Sequence, residues 1–158
     1  MIDWVRLAIS LAVPLMVGGL GGRITDKSLD DWYPSLRKPS WNPPNWVFPI
    51  AWTLLFIAMG VALYRVWGLG LGTPGVVLAL SFFGAQLVLN VLWSFFFFGL
   101  RSPPLALVEV IFLWLAVAGT IWAMGSLDPL SGWLLAPYLA WVTFAAILTA
   151  AIVRLNRG

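Results

Sequence analysis

Five apolar runs take up most of this chain and leave little else for it to fold. They lie at about residues 4–20, 45–67, 76–99, 104–125 and 131–153. As helices they would measure roughly 25–36 Å, against a hydrocarbon core of about 30 Å. In lipid, every backbone N–H and C=O must find its partner inside the segment, so runs of this kind are helices. A soluble domain carries about a quarter charged residues; here 61% are hydrophobic and 9% charged. The chain therefore reads as an all-α integral membrane protein, a bundle of five transmembrane helices in a single domain over residues 1–158. The first run is a span rather than a signal peptide, since a Gly-rich segment and four more spans follow it. Its end is placed at Gly18-Gly19-Leu20-Gly21-Gly22, which makes residues 21–44 the first loop. The later connectors are short, so successive helices pack as antiparallel neighbours.

Five spans put the termini on opposite sides. Arg23, Lys27, Arg37, Lys38, Arg101, Arg154 and Arg157 fall on the side of loop 1, loop 3 and the C-terminus; only Arg6 and Arg65 fall on the other. For an inner membrane, that asymmetry places the C-terminus and loop 1 in the cytoplasm. Two absences restrict the chemistry. No Cys is present, which removes disulfides, thiolate nucleophiles and Cys-held metal clusters. No His is present either, which removes the usual general base and the usual haem or metal ligand. No metal site is expected, and no cofactor is required. The net charge of +3 gives no basis for a nucleic-acid partner.

The most distinctive stretch is DWYPSLRKPSWNPPNWV, residues 31–47. Pro34, Pro39, Pro43 and Pro44 exclude a continuous helix and stiffen the connector. Trp32, Tyr33, Trp41 and Trp46 give it large amphipathic rings. It reads either as a lid over a pocket or as an interfacial anchor in the headgroup layer. Helical rise places Trp52 about 10 Å, Asn90 about 14 Å, Glu109 about 8 Å and Trp141 about 18 Å below this loop. Four unusual groups from four spans thus share one half of the bilayer. A cavity there would have aromatic walls, few polar groups and a cover, as small-molecule sites generally do.

These residues resemble a known family. Trp32-Tyr33, Lys38-Pro39-Ser40-Trp41-Asn42-Pro43-Pro44, Trp46-Val47-Phe48-Pro49 and Ala51-Trp52 are similar to the tryptophan-rich sensory protein/translocator protein family, also called the peripheral-type benzodiazepine receptor family. Gln86 to Trp93, Phe97-Phe98-Gly99 and Pro137-Tyr138-Leu139-Ala140-Trp141 continue the match in order along the chain. The resemblance implies a five-helix bundle, usually a homodimer, that binds porphyrin, haem and other flat hydrophobic ligands beneath loop 1. Carried over by position, it makes Trp52 and Trp141 the porphyrin-binding tryptophans, used in some bacterial members for porphyrin photodegradation. Asn90 becomes a polar pocket residue, Tyr33 and Pro43 lid residues, and Ala145 a pocket-lining position. Trp41, Trp46 and Trp93 complete the candidate ligand-binding set. Eukaryotic members bind cholesterol near the end of the fifth helix through a Tyr followed by an Arg. Here Arg154 stands but the tyrosine position is Ala150, which argues against a specific sterol site. A similar short pattern at Leu29, Tyr33 and Arg37 is only a weak motif. The resemblance also allows an outer-membrane location.

Each feature has a plainer reading. Trp52 and Trp141 can be core packing, and Gln86 and Asn90, four apart, can be hydrogen-bonding glue between helices. Glu109 is functional by default inside a span, yet it is near enough to the interface to snorkel or to pair with Arg101. Trp4, Trp67 and Trp133 are belt anchors next to membrane lipid. Ala8/Ala12, Gly18/Gly22, Ser81/Ala85 and Ala146/Ala150 are small-residue pairs that let helices approach. Three functions follow: a porphyrin-binding membrane receptor or sensor, a light-dependent protoporphyrin-degrading enzyme with Trp52 and Trp141 as its only candidate groups, or a passive assembly partner. A transporter proper would show inverted repeats or paired intramembrane charges, and the sequence has neither.

Overall fold

Aspartate and proline set where several of the helices begin. Asp3 accepts the Arg6 backbone N–H at 2.9 Å and caps the first helix; Asp128 caps the last through the Ser131 N–H at 3.0 Å. Pro103 and Pro129 occupy first-turn positions, where no backbone N–H is missed. The computed structural model describes residues 1–157. Its elements are α1 (Trp4–Leu29), a short 3₁₀ turn (Tyr33–Ser35), α2 (Val47–Trp67), α3 (Val76–Ser94) running into a π-helical turn (Phe95–Gly99), α4 (Pro103–Leu127) and α5 (Pro129–Leu155). All five helices are long and apolar enough to cross a membrane. The protein is an integral multi-pass membrane protein built as a five-helix bundle.

The helices form a ring in which α1 touches α2, α2 touches α5, α5 touches α4, α4 touches α3, and α3 returns to α1. Close approach is made by glycine. A Cβ on Gly60 would fall 2.8 Å from the Ser10 carbonyl oxygen, and one on Gly132 would fall 3.0 Å from the Gly125 Cα. These contacts lock α2 to α1 and α5 to α4 by backbone packing, the usual basis of helix association in lipid.

The first span is longer than expected. α1 runs nine residues past Leu20 to Leu29, so loop 1 begins near Asp30 and not at residue 21. The Gly18–Gly22 cluster does not stop the helix because two of its glycines face neighbouring helices. A Cβ at Gly18 would lie 2.6 Å from the Phe56 ring, and one at Gly21 would lie 3.3 Å from Ser94 Oγ. Glycine costs a helix about 1 kcal/mol relative to alanine, and here close tertiary packing overrides that preference. The Ser28 hydroxyl then donates to the Phe98 carbonyl at 2.7 Å and pins the final turn. The remaining boundaries fall within two residues of expectation.

The five-residue π turn changes which side chains face inward. The Leu100 N–H donates to the Phe95 carbonyl at 2.7 Å, the five-residue spacing of a π turn, and just beyond it the Ser102 N–H donates to the Phe96 carbonyl at 3.0 Å. The wider turn buries Phe97 and Phe98 and leaves Phe95 41% exposed. Inserted π turns of this kind recur at functional sites.

Loop 1 is folded and tethered. Tyr33 is buried and donates its hydroxyl to Asn42 Oδ1 at 3.0 Å. Lys38 Nζ donates to the carbonyls of Tyr33 and Leu36 at 2.8 and 3.0 Å and lies over the Tyr33 ring. The Asn156 side chain, just past α5, holds Arg37 by two backbone bonds of 3.0 and 2.9 Å. Asp31 pairs with Arg101 at 2.7 Å, and Arg101 has the left-handed backbone (φ 53°) that non-glycine residues rarely adopt.

Candidate functional site

Beneath loop 1 the ring of helices encloses a cavity of about 400 Å³, within the size range of small-molecule sites. Its walls are the Leu15–Leu29 face of α1, Tyr33 of loop 1, the start of α2, the Asn90–Phe98 region of α3 and its π turn, and the second half of α5. α4 contributes nothing to the lining and stands behind it.

One wall is a continuous aromatic surface. Trp52 stacks on Phe56 at 5.6 Å and meets Trp141 edge-on at 6.3 Å. Trp141 lies 5.4 Å from Phe144 and 6.0 Å from Phe48. Opposing it, Trp93 stacks on Phe97 at 5.3 Å, and Phe97 packs on Phe98 at 4.7 Å. Two ring-bearing surfaces facing one space suit a flat, hydrophobic, polarizable ligand, since offset and edge-on arrangements add to plain area burial.

Behind the aromatic wall lies an oriented polar relay. Asn90 Nδ2 donates to the Tyr138 hydroxyl at 2.9 Å, and that hydroxyl donates to Gln86 Oε1 at 2.8 Å. Gln86 Nε2 reaches the Met59 sulfur at 3.8 Å. Because Tyr138 gives its one proton to Gln86, it must accept from Asn90, which fixes how the Asn90 amide presents itself to the cavity. The relay makes Gln86 and Asn90 interhelical glue, and it leaves Asn90 on the cavity lining as well.

Of the candidate residues, Trp52, Trp141, Asn90, Tyr33, Trp93 and Ala145 line this cavity together. Trp41, Trp46 and Pro43 do not. Trp41 packs edge-on against Phe144 at 5.9 Å from outside the lining. Trp46 is 66% exposed, in the manner of an interfacial anchor. Pro43 stays in loop 1, where its carbonyl accepts from Asn42 Nδ2 at 3.1 Å. Glu109 is buried with neither carboxylate oxygen partnered; it sits on α4, outside the lining, and Arg101 pairs with Asp31 instead. Phe48 and Tyr138 stand in the matched motifs and Gly18 and Gly22 among the small-residue pairs, but none was given a site role, and Phe144, Thr149 and Asp26 were not singled out. The α5 members follow helical spacing from Trp141 and were legible in principle; the α1 face was lost with the early helix end. Among the described residues no cluster of His, Cys, Asp and Glu is arranged to hold a metal.

One charge near the mouth is fixed by pairing. The Arg101 guanidinium beside Asp31 holds that carboxyl below its usual range, and burial pushes the Tyr33 hydroxyl up, with the Asn42 bond opposing. Asp26 alone brings charge into the lining.

Fold and cavity together define a polytopic helical membrane protein with an aromatic chamber inside its bundle. The sequence profile of the TspO/MBR family matches residues 10–155, and the chain belongs to that family. It is 43% identical over 150 residues to the "Tryptophan-rich protein TspO" of Chlorobaculum tepidum, covering 95% of each chain. It is 47% identical over 127 residues to the "Tryptophan-rich sensory protein" of Cereibacter sphaeroides, covering 80% of this chain and 78% of that one. The "Translocator protein" of Homo sapiens is 42% identical over 128 residues, covering 80% and 76%.

Proposed function

We propose that this protein is a membrane receptor or sensor that binds porphyrins and related flat tetrapyrroles in the chamber under loop 1. The observation that carries the reading is the paired aromatic surface around a single cavity, with Trp52 and Trp141 at 6.3 Å on one side and Trp93 on Phe97 on the other. The sensory and translocator names of the relatives agree with it. Loop 1 serves as the lid: its tethers to Arg101 and Asn156 keep it shaped before ligand arrives, and preorganisation cuts the ordering cost of binding. The chain works in membrane lipid, as a homodimer in the manner the resemblance implies, with loop 1 toward the cytoplasm in an inner membrane.

A titration of the purified protein tests this. Protoporphyrin should quench intrinsic Trp fluorescence saturably. Trp52→Ala and Trp141→Ala should each weaken binding by about 1–3 kcal/mol, on the scale of base–aromatic stacking. Unchanged affinity in both folded variants removes these residues from the site, and absence of saturable quenching leaves the aromatic cluster as core packing in a passive partner. A second reading, light-dependent oxidation of the bound macrocycle by dioxygen, is favoured by the close Trp52–Trp141 pair. Illumination of the complex in air, with the appearance of a product spectrum absent from Trp141→Phe, would support it.

A further inference from the structure

Four of the five hydroxyl groups that line the chamber give their proton to a partner within the protein. Thr25, Thr53 and Thr149 each give their hydroxyl proton to a carbonyl four residues back, at 2.9, 2.7 and 2.7 Å. Tyr33 gives its proton to Asn42. What these four side chains leave for a ligand is oxygen lone pairs, while Asn45, Ser94 and the second Asn90 N–H remain in the lining as neutral donors. Asn90 has one N–H committed to Tyr138 by the direction of the relay, and its Oδ1 has no partner within the protein. The Trp93 indole N–H is buried without a partner. Asp26 adds a full negative charge, and no lysine or arginine is among the lining residues.

Basic residues are nevertheless plentiful just outside. Of those at the loop 1 end, Lys38 is held by two backbone carbonyls and Arg101 by Asp31. Arg23 and Lys27 flank Asp26 in sequence and are exposed as it is, but neither lines the chamber. A carboxylate taken into the chamber would lose its water and find no cation there. A carboxylate left at the mouth keeps its water and has basic side chains nearby.

We infer that the chamber selects its ligand by charge: it takes in the uncharged or cationic part of a tetrapyrrole, keeps carboxylates outside its mouth, and uses Asp26 to discriminate against acidic ligands. The inference rests on the tetrapyrrole reading and names the ligand class for that same site. For an assumed separation of about 7 Å at the effective dielectric of a protein surface, weakened by salt at an exposed mouth, two charges give roughly a three- to tenfold effect on affinity.

The experiment is a Trp-quenching titration of the full chain in zwitterionic nanodiscs with two probes, protoporphyrin diacid and its dimethyl ester. The proteins are the wild type, Asp26→Asn and Asp26→Lys. Comparing the ratio of the two affinities between proteins cancels the ester's greater partition into lipid. The expected result is that Asp26→Asn tightens the diacid about three- to tenfold, leaves the ester within about twofold, and is exceeded by Asp26→Lys. Asp26 is exposed and makes no hydrogen bond or ion pair among the described residues, so both variants should fold. Raising salt on the unaltered protein should narrow the gap between the two probes, a check that needs no substitution. Saturable binding of both probes with the same ratio in all three proteins overturns the inference and leaves the tetrapyrrole reading standing. No saturable quenching by either probe in the wild type overturns both.

Discussion

Replacing Tyr138 with Phe removes one oxygen atom, and the relay dictates what is left behind. Gln86 Oε1 loses its donor and Asn90 Nδ2 loses its acceptor. The two are not equally harmed. Gln86 is fully buried, while Asn90 lines the cavity and can turn toward it. An unpaired buried group in a protein costs about 1–3 kcal/mol. Hydrogen bonds between membrane helices average about 0.6 kcal/mol and reach about 1.7, because the unfolded chain in lipid also finds partners. The Gln86 side should dominate, so the expected loss is about 1–2 kcal/mol. For a chain of this length that corresponds to a fall of roughly 2–8 °C in Tm. Thermal unfolding in detergent, read by loss of the monodisperse folded species, measures it. Tyr64→Phe is the control: its hydroxyl accepts only the exposed Asp3 N–H at 3.4 Å, and it should melt with the wild type. Adding Gln86→Met to Tyr138→Phe should recover most of the loss, since removing both partners leaves nothing unpaired on that side. If Tyr138→Phe melts with the wild type, or the double variant is worse than the single, the relay is not a stabilising element and the argument fails.

Three further outcomes are expected. Porphyrin should slow hydrogen exchange in residues 31–44 more than in the Gly68–Gly75 connector on the opposite side, and equal protection of both would reduce loop 1 to an interfacial anchor. Haem should bind without strong axial ligation, because the chain has no His or Cys; a low-spin bis-nitrogen absorption spectrum from the pure protein would contradict this. The Arg65 pair at 2.7 and 2.8 Å, with Ser131, holds the Asp128 carboxyl far below its usual range. A lowered native pKa gives stability that is present above the ordinary aspartate value of about 3.9 and is lost as pH falls below it. With Arg65 39% exposed, the effect should stay under about 1 kcal/mol, and Asp128→Asn should remove this part of the acid sensitivity in melts at pH 3 and 7.

The local rules of membrane proteins made much of this molecule readable from its residues alone. Apolar run length specified five helices, because lipid offers the backbone no other partner, with the fourth and fifth expected from about residues 104 and 131 and found from Pro103 and Pro129. The order of aromatic and proline residues around Trp41 and Trp52 carried the family. Trp52, Asn90, Glu109 and Trp141 could be placed in one half of the bilayer from rise per residue alone, although Glu109 then proves to stand outside the lining. What one dimension could not contain was facing. Gly18 and Gly21 looked like a helix end because nothing in the sequence says that Phe56 and Ser94 lie against them; once they do, α1 continues to Leu29 and brings Asp26 to the chamber. Gly60, Gly125 and Gly132, which set the helix approaches, had no partner visible in sequence. Trp46 and Trp52 are the same residue type six positions apart, and only the ring of helices turns one to the surface and the other to the cavity. The direction of the Asn90–Tyr138–Gln86 relay belongs to the tertiary structure too, because it depends on one hydroxyl on α5 meeting two amides on α3, and a single proton then decides which way each amide points.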